Sequence, residues 1–307
     1  MNIWELHGMG RQQRTCMTLR RGHEGMALVI VLWLIVLLSV MAAGHARNVH
    51  AETMLASRQL AFAKARALAE AGVQHAIIEL LAPNRVQAWP INGTNITINI
   101  DGHDIGVAVR DATGLVDLNA ASADLLAAAF AATGGDEGWR QEIVDAILDW
   151  RDGDKLRHLN GAEDDDYLAA GLDWTARDGA FASVDELRYV LGMRQEVFDK
   201  LAPFLTVYSG RSAVNLEYAP PFLVAALTGE QLDAVAPPAP SGEKTAPTAG
   251  RTTTARNGTY HVYVSAPGAA GVTATLEAVV RISAASEHPF TILDWREPMR
   301  PRFPEEG

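Results

Sequence analysis

The stretch RRGHEGMALVIVLWLIVLLSVMAAG, Arg20–Gly44, sets two arginines and a glycine directly against a long apolar run. Between Met26 and Gly44 no side chain is charged. As a helix, about 19 residues rise roughly 28 Å, enough to cross a hydrocarbon core. An ordinary secretory signal has a shorter apolar part and ends in a small-residue cleavage pattern, which is not evident here. Arg11, Arg14, Arg20 and Arg21 precede the run, so the positive charge predicts a cytoplasmic N-terminus with the remainder outside. Two readings stay open: a plain single-pass anchor, or a segment that is cut and then used.

The helical pattern does not stop at Gly44. Residues 45–82 contain no proline, and Leu55, Leu60, Phe62, Leu68, Val73, Ile77, Ile78 and Leu81 recur at spacings near three and four. Arg47, Glu52, Arg58, Lys64, Arg66 and Glu70 take the other faces. Span and amphipathic half therefore predict one helix over 26–82, stopped by Pro83.

Beyond it, Ile96, Ile98 and Ile100 alternate with polar residues, as do Ile105, Val107 and Val109. Asp101-Gly102-His103-Asp104 between them predicts a hairpin. The period then becomes helical. LVDLNAASADLLAAAFAATG (115–134) is expected to be capped by Asn119 or Ser122, and WRQEIVDAILDWRDGD forms a second helix. FASVDELRYVLGMRQEVFDKLAPFLTVY (181–208) gives a further pair, with Ser183 and Glu186 spaced as a capping box. VNLEYAPPFLVAAL echoes the earlier VDLNAASADLLAAAF. A Pro/Thr/Gly/Ala-rich stretch follows at 236–258, and alternation returns at Tyr260, Val262 and Val264, at 273–279 and at 290–293. Strands thus flank a helical block, which predicts one small sheet with an all-helical insertion.

Formal charge is −11, which argues against a broad nucleic-acid surface. Cys16 is the one cysteine, so no intrachain disulfide or cysteine-based zinc site can form. The most chemically loaded segment is LDWRDGDKLRHLNGAEDDDYL (148–168). Its carboxylates Asp149, Asp152, Asp154, Glu163, Asp164, Asp165 and Asp166 repel one another unless a cation offsets them. Hard oxygen ligands with Gly153 and Gly161 suit calcium, although the spacing is not that of an EF-hand. A solvated acidic loop is the alternative. Nothing completes a hydrolase: H-E-x-x-H and G-x-S-x-G are absent, and GEKT at Gly242 lacks G-K-[ST].

A basic leader, a glycine and an apolar start to a long helix resemble the type IV pilin and pseudopilin class. The motifs DW-x-D-x-D, NGAED-x-x-Y, F-x-S-V-x-EL-R and KLAPFLTVY, with the closing ILDWRE, resemble the type II secretion system protein K (GspK) family. The resemblance implies an α+β, type IV pilin-like fold: a long N-terminal helix and small antiparallel sheet with a large inserted all-α domain containing helix-hairpin-helix-like units. It divides the chain into a prepilin leader (1–25), the helix (26–82), sheet (83–112), insert (113–230), linker (231–258) and returning sheet (259–307). It also implies a non-enzymatic minor pseudopilin that initiates or caps the tip of a periplasmic pseudopilus. A prepilin peptidase would cut between Gly25 and Met26, with N-methylation of the new end. Met17 as start would give the short leader MTLRRGHEG. Ile30 stands where most pilins carry a glutamate, a departure that the K type shares. A structural calcium ion is expected on Asp149, Asp152, Asp154, Glu163, Asp164 and Asp165. Expected partners are minor pseudopilins of the I and J types, the peptidase, the inner-membrane platform and the bacterial inner membrane, and no nucleic acid. The rival is a membrane-anchored helix-hairpin-helix protein for DNA uptake. Its hairpins here lack a clear G-x-G, and the acidic surroundings would repel phosphates within a screening length of roughly 8–10 Å.

Overall fold

The computed structural model describes residues 24–82, 89–229 and 257–298. They divide into two compact units, residues 1–57 and 58–307. Helix α1 (Glu24–Leu81) begins in the first unit and ends in the second. In the first unit the large apolar side chains from Met26 to Met41 are half exposed or more, Trp33 at 72%. Met26–Ala43 is long and apolar enough to span a membrane. Within it the Ser39 hydroxyl donates to the Ile35 carbonyl at 2.7 Å, so it carries no unmet donor into the apolar run. The expected leader lies outside the described residues apart from Glu24 and Gly25, and the expected linker lies outside them apart from Asn257 and Gly258.

In the second unit, α1 buries Ala61, Ala65, Ala69, Val73, Ala76, Ile77 and Leu80, one face at three- and four-residue spacing. This corrects the expected stripe of large residues. Leu60, Phe62 and Ile78 are exposed, and the buried face is mostly alanine. Small residues let helix and sheet approach closely. A Cβ at Gly72 would come within 2.7 Å of Val264 Cγ1, so the contact depends on its absence.

Seven strands follow: β1 (Asn92–Ile100), β2 (His103–Asp111), β3 (Val116–Asp117), β4 (Leu205–Thr206), β5 (Gly258–Pro267), β6 (Thr273–Ile282) and β7 (Phe290–Arg296). Five form an antiparallel sheet in the order β1-β2-β5-β6-β7. The β1–β2 hairpin is tighter than the expected four-residue turn: only Asp101 and Gly102 connect the strands, at φ 52° and 80°. Ile105, Val107 and Val109 on β2 join Tyr260, Val262 and Val264 on β5 and Leu276, Ala278 and Val280 on β6 in the core beneath α1. Because β2 and β5 are neighbours in space, everything between them leaves the sheet and returns to it.

That intervening body holds α2 (Ala123–Ala131), α3 (Glu137–Arg151), α4 (Asp164–Ala169), α5 (Gln195–Leu201) and α6 (Pro221–Thr228), with β3 and β4 paired in parallel. Its core gathers Phe130, Ile143, Ile147, Tyr167, Leu187 and Phe198, with Trp150 stacked on Phe181 at 6.0 Å. Ser122, not Asn119, caps α2, its hydroxyl accepting from Leu125 N at 3.2 Å. Asn119 instead clips the Phe181 backbone, accepting from its N at 2.7 Å and donating to its carbonyl at 3.0 Å. The expected Ser183–Glu186 capping box does not form. Residues Val184–Tyr189 make a 3-10 turn, and Glu186 accepts from Ala182 N and Arg177. The sequence echo is structural: Asp117 accepts from Asn119 N before α2, as Asn215 accepts from Glu217 N before α6.

A buried polar layer ties insert to sheet. Glu277, 1% exposed, takes both oxygens to Arg296 at 2.9 and 3.0 Å, and Arg296 reaches Asp185 of the insert at 3.2 Å. His261 on β5 shares a hydrogen bond with the Thr206 hydroxyl on β4 at 3.0 Å.

Candidate metal centre

Helix α3 carries Asp145 and Asp149 one turn apart, so both face the same side and meet the loop that follows. Asp149 is fully buried and accepts from His158 N at 3.1 Å and from the His158 ring. Asp145 accepts from Asn160 N at 3.1 Å and from the Asn160 side chain at 3.0 Å. These contacts fold loop 152–163 back along the helix. Gly161 permits it, because a Cβ there would fall 1.8 Å from Asp149 Oδ2. The same glycine closes a turn, its N donating to the His158 carbonyl at 3.1 Å.

Four carboxylates of this acidic region have oxygens that are incompletely satisfied. Asp152 Oδ1, both oxygens of Glu163, Asp164 Oδ1 and Asp178 Oδ1 are buried without a hydrogen-bond donor. Glu163 is 8% exposed. Burial, then the negative charges of Asp149, Asp178 and Asp152, push its carboxyl above the usual range. Asp152 is raised too, first by burial and then by Asp154 and Asp149. Ligand atoms of Asp149, Asp152 and His158 lie within 4.8 Å of one another. Below them the Tyr167 hydroxyl, pushed up to about 12 by burial, accepts from Leu191 N at 3.1 Å. Crowded, buried carboxylate oxygens without donors match a hard divalent cation that takes several oxygen ligands. The residues present therefore fit calcium chemically.

Of the sequence-derived ligands, Asp149 and Asp152 lie side by side, Glu163 feels the charge of both, and Asp164 is joined to Asp178 through Lys155. Asp154 and Asp165 are both exposed, and Asp154 accepts from Leu156 N at 2.8 Å. Sequence reasoning missed Asp178 and His158. Asp178 arrives from a separate loop in a left-handed conformation, φ 51°, and its one cue was the turn dipeptide Asp178-Gly179. His158 was one of nine scattered histidines. Gly25 and Met26 fall in the first residues of α1, and Ile30 is 57% exposed on it.

The helix-hairpin-helix-like turns offer little to a phosphate. At Gly134-Gly135 the following helix α3 is already capped by Asp136, which accepts from Trp139 N at 2.9 Å. Its carboxylate stands where a phosphate would bind.

Residues 107–210 match the family model described as type II secretion system protein K. Type II secretion system protein K of Klebsiella pneumoniae is 27% identical over 204 residues, covering 59% of this chain and 62% of that protein. The Pseudomonas aeruginosa protein of the same name is 25% identical over 232 residues, 68% and 69% of the two chains. The Pectobacterium carotovorum one reaches 35% over 72 residues, 23% and 22%. The chain thus spans less than two thirds of the Klebsiella relative's length. In fold it is similar to a chain of the GspK-GspI-GspJ complex from enterotoxigenic Escherichia coli, with TM-score 0.53, 18% identity, and coverage of 82% of this chain and all of that one.

Proposed function

We propose that this chain is a minor pseudopilin of the K type, which starts or caps a periplasmic pseudopilus in type II secretion. The observation that carries this is α1. One helix is bare and apolar at its start, buried against an antiparallel sheet at its end, and followed by a helical body inserted between two neighbouring strands.

A span such as Met26–Ala43 must stay covered, by lipid or by protein. In a bacterial inner membrane lipid covers it, with the N-terminus cytoplasmic and the bulk periplasmic. When the subunit leaves the bilayer, the helices of neighbouring subunits replace the lipid. Cleavage by prepilin peptidase after Gly25 would expose a new amine on Met26. In the pilin class a glutamate pairs with the amine of the subunit ahead. Ile30 supplies no such carboxylate, which suits a subunit with nothing ahead of it. The inserted helical body is bulky enough to oppose addition of a further subunit above. The partners are then minor pseudopilins of the I and J types and the inner-membrane platform, and the role is structural rather than catalytic.

In this reading Asp149, Asp152, Glu163, Asp164 and Asp178 hold a structural calcium ion. The ion supplies positive charge to oxygens that have no donor, which favours the folded insert. Asp154 and Asp165 stay in solvent.

Co-expression with I- and J-type subunits from the same genome tests the proposal. The expected result is a complex holding one copy of each through size exclusion and sedimentation. Purification of this chain alone, with both others soluble and unbound, would contradict it.

A further inference from the structure

The same acidic segment carries three basic side chains in four residues, Lys155, Arg157 and His158, and each holds a carboxylate. Arg157 pairs with Asp166 at 2.8 Å, and His158 pairs with Asp149. Lys155 differs in bridging two at once. Its ammonium lies 2.5 Å from Asp164 Oδ2 and 2.8 Å from Asp178 Oδ2. The opposite oxygen of each carboxylate, Oδ1, is buried without a donor, as are both oxygens of Glu163.

We infer that Lys155 is a positioning residue of the cation site. It grips the outer oxygens of Asp164 and Asp178 and so turns their inner oxygens toward the ion. The inference rests on the calcium reading above. Asp164, the first residue of α4, and Asp178, from a separate loop, need a reason to hold one oxygen each inward without a donor. A shared ammonium on the far oxygens provides one, in the way outer partners orient the ligands of other metal sites. Asp178 needs it most, because its backbone is held in a left-handed conformation that a non-glycine residue adopts at a cost. The opposing account is competition, in which Lys155 stands in for the cation and must leave when calcium arrives. The two accounts predict opposite signs. Loss of a clamp weakens calcium binding, whereas loss of a competitor, with its repulsive charge, strengthens it.

The test is calorimetric titration of calcium into the full chain in detergent, after chelator treatment, with Lys155→Met and Lys155→Arg beside the wild type. The clamp predicts that Lys155→Met weakens calcium binding by about 10–100-fold, the range typical of outer-shell losses, while Lys155→Arg restores most of it. Equal or tighter binding by Lys155→Met overturns the inference and leaves the calcium site standing. If wild type takes up no calcium, both fall together. Circular dichroism in chelator verifies that the variants are folded. Should Lys155→Met not fold, Lys155→Gln, which removes the charge and leaves the ligands intact, must lower affinity in its place, and unchanged affinity there overturns the inference.

Discussion

Helix α1 meets its sheet through Ala69, Val73, Ala76 and Ile77 set against Val107, Val262 and Leu276, an apolar cluster with an exposed ion pair, Arg66–Glu297, beside it. The acidic end of the insert is built the other way. There Asp149, Asp152, Glu163 and Asp178 act on one another through their charges, and several buried oxygens of this region have no donor. The first region is held by shape and excluded water, so its stability is nearly indifferent to ions. The second is held by balanced charge, so its stability depends on what the solvent supplies. The difference also divides the proposed roles: the helix and sheet belong to the filament, and the insert forms the exposed end.

The layer joining the two regions should give the largest effect. Arg296→Met would take both guanidinium bonds from the buried Glu277 carboxylate and one from Asp185. Removing one partner of such a pair costs about 3–5 kcal/mol. Thermal unfolding should report that loss with calcium or without it. A loss that calcium fully restores would mean that the two regions are not separate in their energetics.

Calcium removal comes next. At a free concentration a hundredfold above Kd, binding contributes about 2.7 kcal/mol, or roughly 5–10 °C in Tm for a chain of this size. Hydrogen exchange should localise the loss to residues 149–180 and spare β5 and β6. Equal loss of protection in the sheet would erase the contrast.

A matched pair of glycine substitutions sharpens it further. Gly72→Ala drives a methyl into Val264, and Gly161→Ala drives one into Asp149. Overpacking of this kind costs about 1–3 kcal/mol. The Gly72 variant should lose stability equally with and without calcium. The Gly161 variant should lose its response to calcium.

The smallest effect concerns pH. Glu163 and Asp152 have carboxyl pKa values raised by folding. The calcium-free folded chain therefore gains from their protonation at low pH and loses that gain as pH climbs through the raised values. His158 is also raised, mainly by its bond to Asp149, so its contribution is present below the unfolded histidine value and fades as pH rises through the folded one. All three make the calcium-free form less stable toward neutral pH. The stabilisation by calcium should accordingly grow between pH 4 and 7, followed by Tm with and without chelator. A shift constant across that range would dissociate the carboxylates from the ion.

Much of the fold was legible because it rests on local periodicity. Alternation at Ile105, Val107 and Val109 and at Tyr260, Val262 and Val264 placed neighbouring strands on either side of a helical block. The face of α1 was not legible, because a hydrophobic count favours Leu60 and Phe62, while close packing favours Ala61, Ala65 and Ala69. At the candidate site, the acids within one short segment drew notice through their density. Asp178 did not, because it reaches the cluster through tertiary structure from a loop with only one other acid near it in sequence, Asp173. Density in sequence does not state which carboxylates turn inward: Asp154 and Asp165 lie exposed, while Glu163 is buried. Ser183 and Glu186 carry the spacing of a capping box, but Glu186 reaches Ala182 N instead, one residue earlier.

The account stands most directly on the mature N-terminus of the membrane-inserted chain, read by mass spectrometry from cells with an active secretion system. It predicts a polypeptide beginning at Met26, with Gly25 and everything before it removed. A chain that keeps Arg20 and Arg21 in such cells would contradict it and leave a plain membrane anchor in its place.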